Sequence, residues 1–235
     1  MMYSVVIPVY NEKDNLFNLQ KELEEVLESL NSNYEIIYVD DGSSDGSLEV
    51  LKKIKNNSEN IKIISFKKNR GQSVALFFGF LNSSGDWIIT LDSDGQNPPK
   101  EIVKLLKYKD EFDFITGIRK NRKDSFFRKF SSKVAYFFRF IFLKDTTKDI
   151  GCSLRLFKRD IINFIPFFKN FHRFFTFLVV VAGFKVKEVY VEHRERRFGR
   201  SRYKTIKRLL DGIFDLIGVF WLKKRLIKYE IKYKF

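Results

Sequence analysis

The chain has 235 residues, 44% of them hydrophobic and 27 of them Phe, so it can bury one sizeable core and is neither disordered nor low-complexity. A single Cys and two His exclude a disulfide framework and the usual zinc sites, and point to a reducing, cytosolic setting. The net charge of +15 calls for an anionic partner: nucleic acid, a phosphate-bearing substrate or an anionic membrane face.

The predicted elements alternate. An apolar strand over Tyr3–Val9 comes first, without a basic segment before it, so no signal peptide is expected. A helix follows at about 14–30, a strand over Tyr34–Val39, a helix at 44–55 capped by Ser43 or Ser44, and a strand over Ile61–Phe66. Gly71 marks the turn into a helix at 72–82; strands over Trp87–Leu91 and Phe112–Thr116 flank a helix at 99–108. This alternation predicts a mostly parallel sheet covered on both faces by helices.

The basic charge is concentrated late. Residues 119–160 hold 13 Lys/Arg against 4 Asp/Glu, 194–208 hold 8 against 1, and 223–235 hold 6 against 1, which leaves the first half mildly acidic. Within the basic half, 126–143 (FFRKFSSKVAYFFRFIFL) reads as an aromatic-rich helix. Later, Ile206, Leu210, Ile213, Ile217 and Phe220 recur at helical spacing before Trp221 and Lys223-Lys224-Arg225. That period usually marks a face packed on the core, whereas Trp, Phe and basic residues together suit a helix lying in a lipid interface. No apolar run reaches 18 residues, so no membrane-spanning helix is expected.

Three polar clusters follow strands: Pro8-Val9-Tyr10-Asn11-Glu12, Asp40-Asp41-Gly42-Ser43 and Asp92-Ser93-Asp94-Gly95-Gln96. In a parallel sheet the carboxyl ends of the strands share one edge, so the three converge on one crevice. Asp92 and Asp94 place two like charges side by side. A polar turn would account for them, but a divalent cation completed by the oxygens of a substrate phosphate accounts for them better. Neither G-x-G-x-x-G nor a P-loop follows the first strand, which removes dinucleotide dehydrogenases and P-loop enzymes. Carboxylates that hold a base and ribose while a metal bridges a diphosphate are the chemistry of an activated sugar donor.

PVYNE, VDDGSSDGS, NRGQSVALFFGF, LDSDGQNPP, DIGCSLRLFKRD, HRF and RRFGRSRY resemble, in that order, the family 2 glycosyltransferases of GT-A fold, and most of all their dolichol- or polyprenyl-phosphate branch. The resemblance covers roughly residues 3–205. It implies a GT-A catalytic domain over 1–204, with 205–235 as an amphipathic basic tail. It also implies an inverting hexosyltransferase that uses Mg²⁺ or Mn²⁺, a UDP- or GDP-sugar donor and a polyprenyl-phosphate acceptor. Position by position, it assigns Pro8, Tyr10, Glu12 and Asp41 to the base and ribose, and Asp92, Asp94 and Gln96 to the metal. Arg119, Arg128 and Ser132 would grip the acceptor phosphate; Arg197, Ser201 and Arg202 would belong to a loop closing over the donor diphosphate. Two departures stand out: Gly95 replaces a usual Leu, and the paired transmembrane helices common after the catalytic domain are absent.

A lipid monophosphate is already largely a dianion at neutral pH, so it needs neutralisation and aim rather than a base. A sugar hydroxyl acceptor would need a base, for which Asp149 is the candidate; the plainer reading of Asp149 is a structural hydrogen bond. Of Asp40 and Asp41, one is expected to cap the next helix while the other touches ligand. Cys152 reads as a small core residue, and His172 as structural or acceptor-lining. The expected setting is peripheral, on the cytoplasmic leaflet, with a separate membrane subunit or a homo-oligomer as possible completions. Nucleic-acid binding would leave the carboxylate crevice unexplained and finds no recognition motif.

Overall fold

The computed structural model describes residues 1–120, 126–196 and 205–226, excluding the side chains of 126–133, 135 and 205–211. β1 (Met2–Val9), α1 (Lys13–Ser29), β2 (Asn33–Asp40), α2 (Ser47–Lys55), β3 (Ile61–Ser65), α3 (Gln72–Leu81) and β4 (Trp87–Thr90) follow the predicted alternation. A 3₁₀ turn at Pro99–Glu101 leads into α4 (Ile102–Leu106), β5 (Phe114–Arg119) and α5 (Phe126–Leu143). β6 (Arg155–Lys158), 3₁₀ turns at Arg159–Phe164 and Phe171–Arg173, α6 (Phe175–Val181), β7 (Val186–Val191) and α7 (Thr205–Arg225) complete the described chain.

The seven strands form one sheet in the order β3-β2-β1-β4-β6-β5-β7. Only β6 runs against its neighbours, pairing antiparallel with both β4 and β5. Strand residues alternate between two cores because both faces are covered. Val5, Ile7 and Val9 of β1 and Ile36 and Tyr38 of β2 pack toward α1, α2 and α4. Val6, Ile37 and Val39 face α3, α6 and α7. The second core is aromatic: Phe80, Phe114, Phe157 and Phe175 stack with ring centroids 5.1–5.8 Å apart. Offset and edge-on rings at such spacing add to the area they bury.

Several boundaries differ from the sequence expectation. The fifth strand begins two residues later and extends to Arg119, and the helix expected at 99–108 is a 3₁₀ turn plus five α-helical residues. Neither Ser43 nor Ser44 caps α2, which starts at Ser47; the amide of Ser47 donates instead to Asp45 Oδ1 at 2.9 Å. Of the periodic set around 206–220, the side chains of Ile206 and Leu210 lie outside the described residues, and the described members do not form one buried face. Phe220 packs inward with Leu216 and Val219, whereas Ile213 and Ile217 point outward with Phe214 and Trp221, all at least half exposed.

At the amino ends of β1 and β2, opposite the crevice, Glu35 is buried and accepts from Ser4 Oγ at 2.6 Å and from the Ser84 amide and hydroxyl at 2.7 Å each. Lys62 Nζ lies 2.6 Å from its other oxygen. Burial pushes this carboxyl upward, but the bonds to Lys62, Ser4 and Ser84 outweigh it and hold the pKa down at about 2. A depressed folded-state pKa adds stability that is present above the ordinary value near 4.5 and is lost as pH falls toward 2. Glu35→Gln therefore unfolds about 2–3 kcal/mol more easily at pH 7. In urea melts between pH 5 and pH 2, the wild-type protein converges on the variant.

Candidate active site

The register sets the crevice. Val9 of β1 lies opposite Asp40 of β2, and Val6 lies opposite Thr90 of β4, so all three strands release their chains at one edge. Side chains then tie the three clusters together. Ser93 Oγ donates to the Pro8 carbonyl at 2.9 Å, the Asn11 amide to Ser43 Oγ at 2.9 Å, and the Glu12 amide to Ser47 Oγ at 3.0 Å. Asn11 adopts φ 55°, a left-handed turn that Asn tolerates, and its Oδ1 accepts the Ser44 amide at 2.7 Å.

Asp40 and Asp41 divide differently from the expectation, since neither caps α2. Asp40 accepts from the Ser43 amide and Ser65 Oγ at 3.1 and 2.8 Å. Asp41 accepts the amides of Arg70 and Gly71 at 2.6 and 2.8 Å and so fixes the entry to α3. Burial raises its pKa despite those bonds. Gly42 makes this possible: it has φ +70°, and a Cβ there would stand 2.6 Å from the backbone carbon of Lys68.

The carboxylates of interest follow β4. Asp94 is 8% exposed, and its Oδ1 accepts the Gln96 amide at 3.1 Å across the left-handed Gly95. Asp92 accepts from Gln72 Nε2 at 2.8 Å, while its own amide donates to Ser153 Oγ at 3.1 Å. Burial, and then the Asp94 charge, push the Asp92 carboxyl up to about 6. Two acids crowded this way favour a cation. One already stands there: Arg196 Nη2 is 2.8 Å from Asp94 Oδ2 and 3.4 Å from Glu12 Oε1. Among the described residues no third His, Cys, Asp or Glu joins the pair as a metal ligand. A divalent ion held by Asp92 and Asp94 would therefore draw its remaining oxygens from water and a ligand, as Mg²⁺ and Mn²⁺ sites do.

Arg119, at the end of β5, is gripped by Asp149: Nε to Oδ2 is 2.8 Å, Nη2 to Oδ1 is 2.7 Å, and the Arg119 amide adds a third bond at 3.1 Å. Burial works against the guanidinium's charge, but Asp149 outweighs it and raises the Arg119 pKa. This fork-to-fork pairing is the structural use of Asp149, and it commits both carboxylate oxygens. Cys152 is fully buried and its thiol is pushed up to about 11 by that burial, which agrees with a core role. His172 Nδ1 sits 2.8 Å from Ser73 Oγ.

The edge thus assembles Pro8, Tyr10, Glu12, Asp41, Asp92, Asp94 and Gln96, with Arg119 and Asp149 two strands beyond β4. The side chains of Arg128 and Ser132, and residues Arg197, Ser201 and Arg202, lie outside the described residues. Residues not singled out from sequence include Gln72, Arg155, Arg194 and Arg196. Arg155 is 4% exposed, donates to the His172 carbonyl at 3.1 Å and stacks over Phe175 at 5.8 Å. Its signal was a lone Arg inside an apolar tetrapeptide; that of Arg196 was lost in a run of basic residues.

Comparison with known proteins places residues 4–165 within the model of "Glycosyl transferase family 2". Undecaprenyl-phosphate 4-deoxy-4-formamido-L-arabinose transferase from Salmonella choleraesuis is 40% identical over 222 residues, 91% of this chain and 66% of that protein. Its counterpart from Salmonella paratyphi B matches to the same extent. The chain thus spans just under two thirds of these relatives' length. Among solved structures, mannosyl-3-phosphoglycerate synthase from Rubrobacter xylanophilus superposes with a TM-score of 0.75 at 15% identity, over 100% of this chain and 78% of that one. Glucosyl-3-phosphoglycerate synthase from Mycobacterium tuberculosis, solved with Mn²⁺, UDP and glucosyl-3-phosphoglycerate, gives 0.68 at 15% identity over 97% and 81%. At such identity these two share the fold: a mostly parallel sheet flanked by helices, the architecture implied by the sequence resemblance.

Proposed function

The chain belongs to glycosyl transferase family 2, and on that premise we propose that it moves a sugar from a UDP- or GDP-sugar to a polyprenyl phosphate. The observation that carries this reading is the crowded Asp92–Asp94 pair at the tip of β4, facing a crevice whose far side presents a fixed, half-buried guanidinium, Arg119. The 40% identity to undecaprenyl-phosphate sugar transferases supports the acceptor class.

In the reaction an oxygen of the acceptor phosphate attacks the anomeric carbon, a new C–O bond forms, and the bond to the leaving diphosphate breaks with its electron pair going to the nucleoside diphosphate. A divalent ion on Asp92 and Asp94, either Mg²⁺ or Mn²⁺, would supply charge stabilisation on that leaving group. Tyr10, Glu12 and the Asp41-fixed loop line the base and ribose end. Arg119, oriented by Asp149, neutralises and aims the acceptor phosphate. The alternative, a sugar hydroxyl acceptor with Asp149 as base, is disfavoured because both Asp149 oxygens are spent on Arg119.

A lipid acceptor requires a surface for the lipid. The carboxyl-terminal half of α5 exposes Phe137, Phe138, Phe140, Ile141 and Phe142, and α7 exposes Ile213, Phe214, Ile217 and Trp221. The two helices meet through Phe142 and Phe220, with ring centroids 6.4 Å apart, and through Lys223 Nζ donating to the Leu143 carbonyl at 2.6 Å. We propose that this joint apolar face, with Lys224 and Arg225 at its end, rests on an anionic leaflet. No described helix is long and apolar enough to cross the membrane. Liposomes rich in anionic lipid should float the protein at low salt, and a Phe214→Glu/Trp221→Glu variant should stay at the bottom of the gradient.

The donor is read by a thermal-shift panel of UDP- and GDP-sugars with Mn²⁺ or Mg²⁺. One nucleotide class with metal is expected to raise Tm by several degrees through mass action, and an unresponsive panel would remove the proposal.

A further inference from the structure

The chain leaving β7 takes an informative path. β7 is the edge strand farthest from β1, yet five residues after Val191 the side chain of Arg196 reaches Asp94 and Glu12, beyond the ends of β5, β6 and β4. Three strand spacings are about 14 Å, a distance that five extended residues, at about 17 Å, can cross. The segment is pinned on the way. The Glu192 amide donates to Glu101 Oε2 at 2.9 Å, the Arg194 amide to the Gln96 carbonyl at 2.8 Å, and Arg194 Nη1 lies 2.8 Å from both oxygens of Glu22 on α1. Beneath Arg194, the space bounded by Asn15, Asn18, Glu22, Gly95 and Pro99 is about 20 Å³, room for roughly one water. The strap is thus fixed against α1 and the Gly95 turn, and its Arg196 reaches the crevice carboxylates Asp94 and Glu12.

We propose that Arg196 is a built-in competitor for the cation site: in the ligand-free protein its guanidinium occupies Asp94 and Glu12, and it must withdraw before a divalent ion can take Asp94. The inference deepens the proposed function and rests on it. A guanidinium at hydrogen-bond distance from Asp94 Oδ2 and a divalent ion on the same carboxylate would be like charges a few ångströms apart, so the two occupancies oppose each other. Such a coupling is reciprocal. Metal alone has to displace Arg196 from Asp94 and leaves it only the longer 3.4 Å contact to Glu12. Metal arriving with a nucleoside diphosphate brings phosphate oxygens that can take the displaced guanidinium. The strap would thus make metal and nucleotide bind together and bind poorly apart, which keeps the crevice from loading with bare cation. Arg196 acts here as a positioning residue, setting the order of binding through Asp94.

The test is a Mn²⁺ titration followed by the EPR signal of free Mn²⁺, with and without UDP or GDP, on the full chain and on Arg196→Gln and Arg196→Lys. Without nucleotide, Arg196→Gln is expected to bind Mn²⁺ about tenfold more tightly than the wild-type protein, with Arg196→Lys between them. The gain in Mn²⁺ affinity on adding nucleotide is expected to shrink in Arg196→Gln. Thermal melts in EDTA, expected to stay cooperative, check that each variant is folded. Equal or weaker Mn²⁺ binding by folded Arg196→Gln, while nucleotide still promotes Mn²⁺ binding to the wild-type protein, overturns the competitor alone. No Mn²⁺ binding by any form even with UDP or GDP overturns it together with the reading on which it rests.

Discussion

Replacing Asp94 with Asn is expected to lower sugar transfer by about 10³-fold and to leave the fold intact. Asn keeps the shape and can still accept the Gln96 amide, so the turn through Gly95 survives. What disappears is one of the two buried carboxylates that would hold the divalent ion, whose positive charge would stabilise the leaving diphosphate by several kcal/mol. The same substitution relieves Asp92, whose pKa stands near 6 partly because of Asp94. A raised acid pKa costs folded-state stability progressively as pH climbs from the ordinary carboxylate value through 6. In EDTA at pH 7 this relief offsets the lost Arg196–Asp94 ion pair, so the variant should melt close to the wild-type protein. Steady-state transfer assays beside such melts check both halves; full turnover in Asp94→Asn would contradict the role given to this residue.

The second large effect belongs to Arg119. Arg119→Ala strands Asp149, which is 6% exposed, without its partner, and breaking a buried pair in this way costs about 3–5 kcal/mol of stability. Transfer to polyprenyl phosphate should fall at least about 10²-fold, because the acceptor loses a guanidinium held in fixed orientation. Stability and activity are separable here. Adding Asp149→Asn to Arg119→Ala removes the stranded charge and should recover much of the lost stability, yet none of the transfer. Slow metal-dependent hydrolysis of the donor should persist in both variants. Denaturant melts and product analysis distinguish this outcome from a purely structural role, in which transfer would return with stability.

The first half of the molecule was legible because each level of the chain agrees. Val5, Ile7 and Val9 alternate with Val6, Ile36 and Tyr38 alternate with Ile37 and Val39, and each strand ends on a polar cluster that has no place in a buried sheet. The second half is harder to read. β6 is four residues long, carries Arg155 among apolar residues and pairs antiparallel on both sides, so no β-α-β rhythm announces it. β7 carries Lys187 and Glu188 on an edge strand and looks like a loop. In α7 the apolar residues exceed what one face can bury, so periodicity alone could not separate the inward Val219 from the outward Ile217.

The site shows the same division. Asp92 and Asp94 are separated in sequence only by Ser93, and their crowding needs no structure to be seen. The Arg119–Asp149 pair spans 30 residues, and Arg196 meets Asp94 across 102, because the chain leaving the edge strand β7 crosses back past the ends of the middle strands. Contacts of that kind depend on topology and leave no local pattern.

The central claim is that a divalent ion on Asp92 and Asp94 meets the diphosphate of the bound nucleotide. Its most direct test is the broadening by substoichiometric Mn²⁺ of the ³¹P resonances of protein-bound UDP or GDP, compared between wild-type protein and Asp94→Asn. Broadening of the β-phosphorus resonance in the wild-type complex that is lost in the variant is the expected result. Broadening of equal extent in both proteins, or bound nucleotide whose phosphorus signals ignore Mn²⁺ altogether, would contradict it.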